Sequence, residues 1–264
     1  MSGRMEVNGR PATDDELGQV ARVNYGHFTS LQVRAGRARG VDLHLARLDA
    51  ATRELFGHPL DRPATQAWMR HLAGDGDASL RVAVHPRAFE RDRPGRSMPV
   101  DVLVETSPPR SGARSPLRVR SVRFERDAPH VKHVGTFALW HQRRQAQLAG
   151  YDDALFVHDG GVIAEGTLWN IGLLDAGGVT WPDAPALDGT SRQLLHAALL
   201  ARGVRSVRRR VTLAELGGFE AAFATNAGCL LQPLAGIDAI AFDTSPARFA
   251  SLAAAIASIP WQPL

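Results

Sequence analysis

Lysine and cysteine are almost absent from this chain of 264 residues, since each occurs once, as Lys132 and Cys229. A single cysteine excludes an intramolecular disulfide and a cysteine-based metal cluster, and it favours a reducing, cytoplasmic setting without a metal site. No apolar run approaches the ~20 residues that a membrane-spanning helix requires. The first 17 residues also lack the apolar core and cleavage site of a secretory signal. We therefore expect a cytoplasmic protein without membrane contact.

Lysine is scarce although positive charge is not, because the chain has thirty arginines. Lys132 stands in the stretch DAPHVKHVGTF, residues 127–137. Arginine and lysine serve equally well as solvated charges, but only lysine can lose its proton when desolvated and act as an amine nucleophile. Two interpretations follow. Either a coding bias toward arginine left one lysine by chance, or the chemistry at this position requires an amine.

The charge of the chain is mildly positive, with a net charge of +4 and a pI of about 10.1. A high pI is compatible with nucleic-acid binding. However, 27 acidic residues are interspersed among scattered arginines, and the densest basic run, Arg208 to Arg210, lies beside a predicted strand and loop. A solvated sheet edge explains that run, so we expect no nucleic-acid partner.

The order of predicted elements indicates an α+β protein. A hairpin around Asn8 and Gly9 comes first, then further strands, two helices of which the first ends at Gly57, and three more strands. The second half alternates short hairpins with helices. The last helix is predicted to start at Thr244 or Ser245.

A polar loop over residues 107–116 and the break ERDAPH before Lys132 suggest two domains. Ligand sites favour the interfaces between domains. The predicted division is an N-terminal α+β domain over 1–122, a linker over 123–132 that carries the lysine, and a C-terminal barrel-like domain over 133–264.

Glu165 is a candidate functional carboxylate on a predicted strand. Strand alternation places it on the same face as Ile163, and both faces of the strand are apolar. A buried carboxylate needs a partner, because burial otherwise favours its protonated form. The alternative is exposure at the strand end, where Gly166 begins a turn.

The segment LDGTSRQLL offers a candidate anion site at a helix start. Free backbone N–H groups and the helix dipole attract an anion there, and the hydroxyls of Thr190 and Ser191 add donors. Capping of the helix by either hydroxyl explains the same residues without a ligand. Arg47, on an early predicted helix, is either a surface charge or an inward fork for phosphate or carboxylate.

An amine, a buried carboxylate, a helix start and an arginine are together the parts that pyridoxal 5'-phosphate requires: a Schiff base, a pyridinium partner and a phosphate site. The motifs of other enzyme classes are absent from the sequence, including G-x-S-x-G, H-E-x-x-H, Walker A and G-x-G-x-x-G.

From about Asn24 to Ala239 the chain resembles the class IV, or fold-type IV, pyridoxal-phosphate enzymes. This family holds branched-chain and D-amino-acid aminotransferases and aminodeoxychorismate lyase. The matching segments are NYGHFTSLQV, HLARLDAA, HVKHVG, GYDDALFVHDGGVIAEGTLWNI, LDGTSRQLL and FATNAGCLLQPL. The resemblance implies an α/β sandwich-like N-terminal domain, a C-terminal pseudo-barrel domain, the cofactor between them, and a homodimer.

Residue by residue, the resemblance assigns a role to each candidate. Lys132 is the Schiff-base lysine and proton shuttle, Glu165 keeps the pyridine nitrogen protonated, and Arg47 of the H-x-x-R-L segment binds the phosphate. The other phosphate-binding positions are Thr190, Ser191, Asn226 and Ala227. The last two form a second phosphate turn in which Ala227 replaces a hydroxyl residue, so that only backbone donors remain.

Some positions depart from individual branches of the family. Phe137 stands where branched-chain enzymes carry a tyrosine, and Phe28 where the D-amino-acid enzymes carry one. The lyase branch shares Lys132-His133, and in it Ser30 would replace a threonine that assists proton transfer. The alternative for Ser30 is a buried strand serine bonded to backbone.

The sequence therefore predicts a class IV aminotransferase that moves an amino group between an amino donor and a 2-oxo acid. A lyase that releases pyruvate from 4-amino-4-deoxychorismate is the alternative, and a non-catalytic binding protein is a third, less favoured interpretation. The candidates for binding the substrate carboxylate, each with a surface position as its alternative, are Arg81, His85, Arg87 and Arg96.

Overall fold

The structure is a computed structural model that describes residues 3–110 and 114–264. Its helices are α1 Asp14–Arg22, α2 Val41–Phe56, α3 Arg62–Ala73, α4 Phe137–Leu148, α5 Thr190–Ala201 and α6 Ala250–Ser258. The strands of the first sheet are β1 Met5–Val7, β2 Arg10–Pro11, β3 His27–Arg34, β4 Arg37–Ala38, β5 Ala78–Pro86, β6 Val100–Ser107 and β16 Gln262–Pro263. The strands of the second sheet are β7 Leu117–Arg123, β8 Asp153–His158, β9 Val162–Gly166, β10 Asn170–Asp175, β11 Gly178–Pro182, β12 Ser206–Arg209, β13 Ala221–Asn226, β14 Cys229–Ile237 and β15 Ile240–Ala241.

The chain divides into two compact units. The first holds the described residues of Met1–Ser111 together with Val131–Gly135 and Trp261–Leu264. The second holds the described residues of Gly112–His130 together with Thr136–Pro260. The segment around Lys132 thus belongs by its contacts to the first unit.

The first unit is built on a sheet with the strand order β16-β4-β3-β5-β6-β1-β2. Along β3, buried and half-buried side chains alternate, which is the pattern of a strand with two different faces. One face packs on α2 and α3 through a core that includes Leu31, Leu48 and Met69. On the other face, Leu17 of α1 packs against a smaller cluster around Ala83. Helices on both faces give the sandwich-like arrangement.

In this unit one helix end was predicted correctly and one helix was not predicted. Helix α2 ends at Gly57 as predicted, with φ of 61° and its N–H donating to the Arg53 carbonyl, the left-handed ending that glycine favours. Helix α1 was missed, although the sequence carries its start signal. Thr13 accepts from the Glu16 N–H, and the Glu16 carboxylate accepts from the Thr13 N–H, which forms a capping box.

The second unit is a curled sheet with the strand order β12-β11-β10-β13-β14-β7-β8-β9, to which β15 is added beside β14. The Ile163 N–H of β9 donates to the Val211 carbonyl over 2.9 Å. Val162 forms an isolated bridge with Thr212. Since residues 211–212 follow β12, the two ends of the sheet approach each other. One buried core lies against Ile163 and Leu155, and a second packs α5 and α6 on Trp181.

The residues that the structure describes, 3–110 and 114–264, carry neither a membrane-spanning helix nor a metal-binding cluster. None of the helices there is long and apolar enough to cross a membrane. Those same residues include no group of three or more His, Cys, Asp or Glu side chains that could hold a metal ion.

Candidate active site

The backbone around Lys132 is fixed against the start of β3. The Phe28 N–H donates to the Lys132 carbonyl over 2.9 Å, and the Val134 N–H donates to the Gly26 carbonyl over 2.9 Å. These bonds make the lysine segment a short extended neighbour of the strand. The only lysine of the chain is therefore held on the sheet of the first unit rather than on a solvated loop.

The side chain of Lys132 lies beside an aromatic ring. Its Nζ is 4.8 Å from the ring centroid of Phe28, and the guanidinium carbon of Arg81 is 4.3 Å from the same centroid. Both cations are within the range at which an aromatic face attracts a positive charge. Ser30 lies two residues along β3 on the same face as Phe28 and is paired in register with Arg81. Three of the predicted residues, Lys132, Ser30 and Arg81, are thus grouped around Phe28.

Arg47 lies on the face of α2 that packs on the sheet. Its Nη2 donates to Thr29 Oγ1, and the same hydroxyl is 2.6 Å from Nδ1 of His44. Thr29 and His44 are both buried. Sequence reasoning did not identify either residue, although His44 opens the H-x-x-R-L segment in which Arg47 was recognised.

Two histidines of the first unit are buried beside these cations. Burial, with the positive charge of Arg47, lowers the pKa of His27 to about 3. Burial, with the positive charges of Arg47 and Lys132, lowers the pKa of His44 to about 3. Both Arg47 and Lys132 therefore lie close enough to His44 to oppose its protonation, and both imidazoles are neutral at physiological pH.

Acid is expected to destabilise the protein through these two histidines. Below pH 6.5 the unfolded chain binds protons at His27 and His44, whereas the folded chain does not until about pH 3. Stability is thus lost as the pH falls, by up to about 4 kcal/mol for the two residues together at pH 5. Urea unfolding at pH 7.5 and pH 5 measures the loss. The variant H27Q/H44Q should lose clearly less on acidification, and an equal loss would contradict the assignment.

Glu165, in the second unit, is a buried carboxylate with two donors. Its Oε1 accepts from Nη1 of Arg126 over 2.9 Å and from the Leu187 N–H over 3.2 Å. The side chains of Glu165 and Arg126 are each 7% exposed. The partner that burial demands is therefore present, and the alternative of an exposed strand end was wrong. Arg126, from the segment ERDAPH, was not predicted to contribute.

The start of α5 follows directly from the loop that contacts Glu165. Asn170 Nδ2 donates to the Leu187 carbonyl over 2.8 Å. A Cβ on Gly189 would stand 2.0 Å from Asn170 Oδ1, so any side chain there would displace Asn170. Gly189 occupies the N-cap position and no side chain caps the helix. Thr190 and Ser191 are buried, and the alternative that one of them is the helix cap was wrong.

Asn226 organises the second turn of this unit. Its Oδ1 accepts from the N–H groups of Gly228 over 2.9 Å and Cys229 over 3.0 Å. Its Nδ2 donates to the Leu168 carbonyl over 3.3 Å. The side chain is thus used to shape the turn, which leaves backbone groups such as the Ala227 N–H as donors for a ligand.

Thr225 connects the Asn226 turn with the residues that precede α5. It is paired in register with Asn170, and its hydroxyl is buried without a hydrogen-bond partner among the described residues. Buried polar groups in proteins are nearly always bonded, so such an atom is common where a ligand or water completes the network. The second unit therefore groups Glu165, the α5 start and the Asn226 turn in one polar cluster.

The other candidates for carboxylate binding have contacts of their own. His85 and Arg87 line a cavity of about 370 Å³ in the first unit with Asn8, Arg10 and Asp101. There Nη2 of Arg87 forms an ion pair with Asp101 over 2.9 Å. Arg96 pairs with the exposed Glu90. Of the four candidates, Arg81 has its guanidinium over the ring that Lys132 contacts.

Each unit by itself carries donors of a kind that a phosphorylated pyridine aldehyde requires. In the first unit Lys132 offers the amine and Arg47 a guanidinium for phosphate. In the second unit Glu165 offers a carboxylate, and the uncapped α5 start offers backbone N–H groups at the positive end of a helix dipole. The residues present thus fit pyridoxal 5'-phosphate in the chemistry of their donors.

Comparison with known proteins places the chain in a family. The family model described as Amino-transferase class IV matches residues 26–237, which is most of the chain. No curated protein matches.

Several solved structures share the fold. A branched-chain aminotransferase from Thermoproteus uzoniensis with norvaline has a TM-score of 0.81 at 17% identity, over 96% of this chain and 93% of that one. A hypothetical aminotransferase from Mycobacterium tuberculosis in a PLP-bound form has a TM-score of 0.80 at 21% identity, over 97% and 98%. A putative 4-amino-4-deoxychorismate lyase from Legionella pneumophila has a TM-score of 0.78 at 19% identity, over 91% and 93%. The expected two-domain fold-type IV architecture is confirmed.

Proposed function

The chain belongs to the class IV aminotransferase family, and we propose that it uses pyridoxal 5'-phosphate to transfer an amino group between an amino acid or amine and a 2-oxo acid. The observation that carries the proposal is the match to the family over residues 26–237. Within that range the only lysine of the chain is held on β3 by backbone hydrogen bonds.

The proposed roles follow from the position of each side chain. When bound, the cofactor supplies the electron sink for proton loss at the substrate α-carbon. Lys132 attaches the cofactor and then moves that proton. Glu165 presents a carboxylate, held by Arg126 and Leu187, to the protonated ring nitrogen. Ser30 is the candidate that assists proton transfer.

The phosphate and the substrate carboxylate require separate cations. Arg47 and the backbone groups at Thr190, Ser191, Asn226 and Ala227 are proposed to bind the phosphate. Arg81 is proposed for the substrate carboxylate, because it shares the Phe28 ring with Lys132.

A homodimer is proposed as the active form. Helix α4 presents Phe137, Trp140 and Leu148 to solvent, with exposed fractions of 79%, 53% and 67%. Apolar side chains at this helical spacing form a stripe of the kind that a second subunit covers. A cytoplasmic location stays a prediction from the sequence.

Elimination from 4-amino-4-deoxychorismate is the second candidate reaction, favoured by Lys132-His133 and the Asn226-Ala227 turn. Two assays on the cofactor-loaded protein separate the reactions. A panel of L- and D-amino acids and primary amines, each with a 2-oxo acid acceptor, is followed for the new amino acid. In parallel, 4-amino-4-deoxychorismate is followed for pyruvate. We expect amino transfer with at least one donor, and pyruvate release without any amino transfer would overturn the proposal.

A further inference from the structure

A buried hydrogen-bonded chain joins Arg47 to the sheet of the first unit. Arg47 and His44 are three residues apart on α2 and so share a helix face. Strand alternation turns Thr29 of β3 toward that face, where its hydroxyl lies 2.6 Å from His44 Nδ1 and accepts from Arg47 Nη2. Thr29 and His44 are both fully enclosed, with 0% and 2% exposure.

The direction of each hydrogen bond follows from the donor inventory. A guanidinium has only donors, so Arg47 donates to Thr29. The hydroxyl has one hydrogen of its own, and His44 Nδ1 is the acceptor that the described residues place within its reach. Thr29 therefore donates to Nδ1, and the proton of the neutral imidazole is on Nε2.

We propose that Thr29 and His44 are positioning residues that hold the guanidinium of Arg47 in the orientation in which it binds the cofactor phosphate. The identity of the ligand rests on the proposed function, whereas the direction of the hydrogen bonds does not. The neutral imidazole is essential to this role, because a protonated Nδ1 would no longer accept the Thr29 hydrogen and would add a positive charge beside Arg47.

The contact between β3 and α2 also contains a matched control. His27 Nε2 is 3.0 Å from Thr52 Oγ1, and the Thr52 hydroxyl donates to the Leu48 carbonyl over 2.8 Å. This is a second buried threonine–histidine pair between β3 and α2, and its threonine is also 0% exposed. Its hydrogen-bonded chain ends on a backbone carbonyl instead of on Arg47.

The test compares T29V and T52V, two changes of nearly equal shape. Each apo variant is titrated with pyridoxal 5'-phosphate and with pyridoxal, which lacks the phosphate, and the ratio of the two dissociation constants is taken. We expect T29V to lower the preference for the phosphorylated form about tenfold, as loss of a hydrogen bond that orients a charged group would do. T52V should leave the ratio unchanged, and T29S should restore it. Equal ratios in T29V and T52V would overturn the proposal.

A second measurement needs no cofactor. The histidine side chains of the unliganded protein are labelled with ¹⁵N and their ring nitrogens are observed by NMR at pH 7, with His44 assigned by its loss in H44Q. The expected signature is a neutral ring protonated at Nε2. A proton on Nδ1 would overturn the inferred donation from Thr29 to His44. If wild type has that signature but binds no pyridoxal 5'-phosphate, the proposed function fails while the inferred direction of the hydrogen bonds remains supported.

Discussion

Replacement of Lys132 by alanine is expected to abolish amino transfer, with a fall in kcat of at least about 10³-fold. The variant loses the amine that we propose to attach the cofactor and to move the α-proton. K132R is the matched variant, because arginine preserves the positive charge beside Phe28 but is not a nucleophile. Steady-state kinetics should show both variants to be inactive. Activity in K132R would mean that this position supplies charge and not an amine.

Because the chain has one lysine, the residue to which the cofactor attaches covalently is simple to identify. Borohydride reduction of the loaded protein fixes the cofactor on the amine that holds it, and Lys132 is the only lysine. Mass spectrometry of the digested protein should find the added pyridoxyl group on the peptide that contains Lys132. The same treatment of K132R should leave that peptide unlabelled, and a label on the N-terminal amine alone would contradict the assignment.

The features predicted correctly from the sequence have local signals. The Gly57 stop depends on the conformation of a single residue. The rarity of lysine singles out Lys132, whose role stays a prediction. Helix α1 was missed although Thr13 and Glu16 carry a capping-box pattern, because the short helix has no buried stripe. A local signal therefore sufficed for the end of α2 but not for the start of α1.

The features that were missed depend on contacts between distant residues. Arg126 reaches Glu165 across 39 positions, and Leu187 reaches it across 22. A single sequence predicts that a buried carboxylate needs a donor, but it does not say which arginine of thirty supplies it. The hydrogen bond of Thr29 to His44 was missed for the same reason, because it exists only after α2 packs on β3.

The ion pair of Glu165 with Arg126 is expected to separate stability from activity. In E165Q or R126Q one buried charge stays without its partner, and the free energy of unfolding should fall by about 3 kcal/mol. The double variant E165Q/R126Q leaves neither charge buried, so its loss of stability should be clearly smaller than the sum of the two single losses. Urea unfolding of the four proteins measures this coupling.

Activity is expected to follow a different order from stability in the same set. E165Q removes the negative charge that we propose for the ring nitrogen, and the loss of such an electrostatic contact lowers kcat by about 10²- to 10³-fold. The double variant should regain stability but not activity, because it still lacks the carboxylate. Recovery of kcat in the double variant would show that Glu165 serves only to neutralise Arg126. A kcat that stays low in a well-folded double variant would instead assign the carboxylate to the chemistry itself.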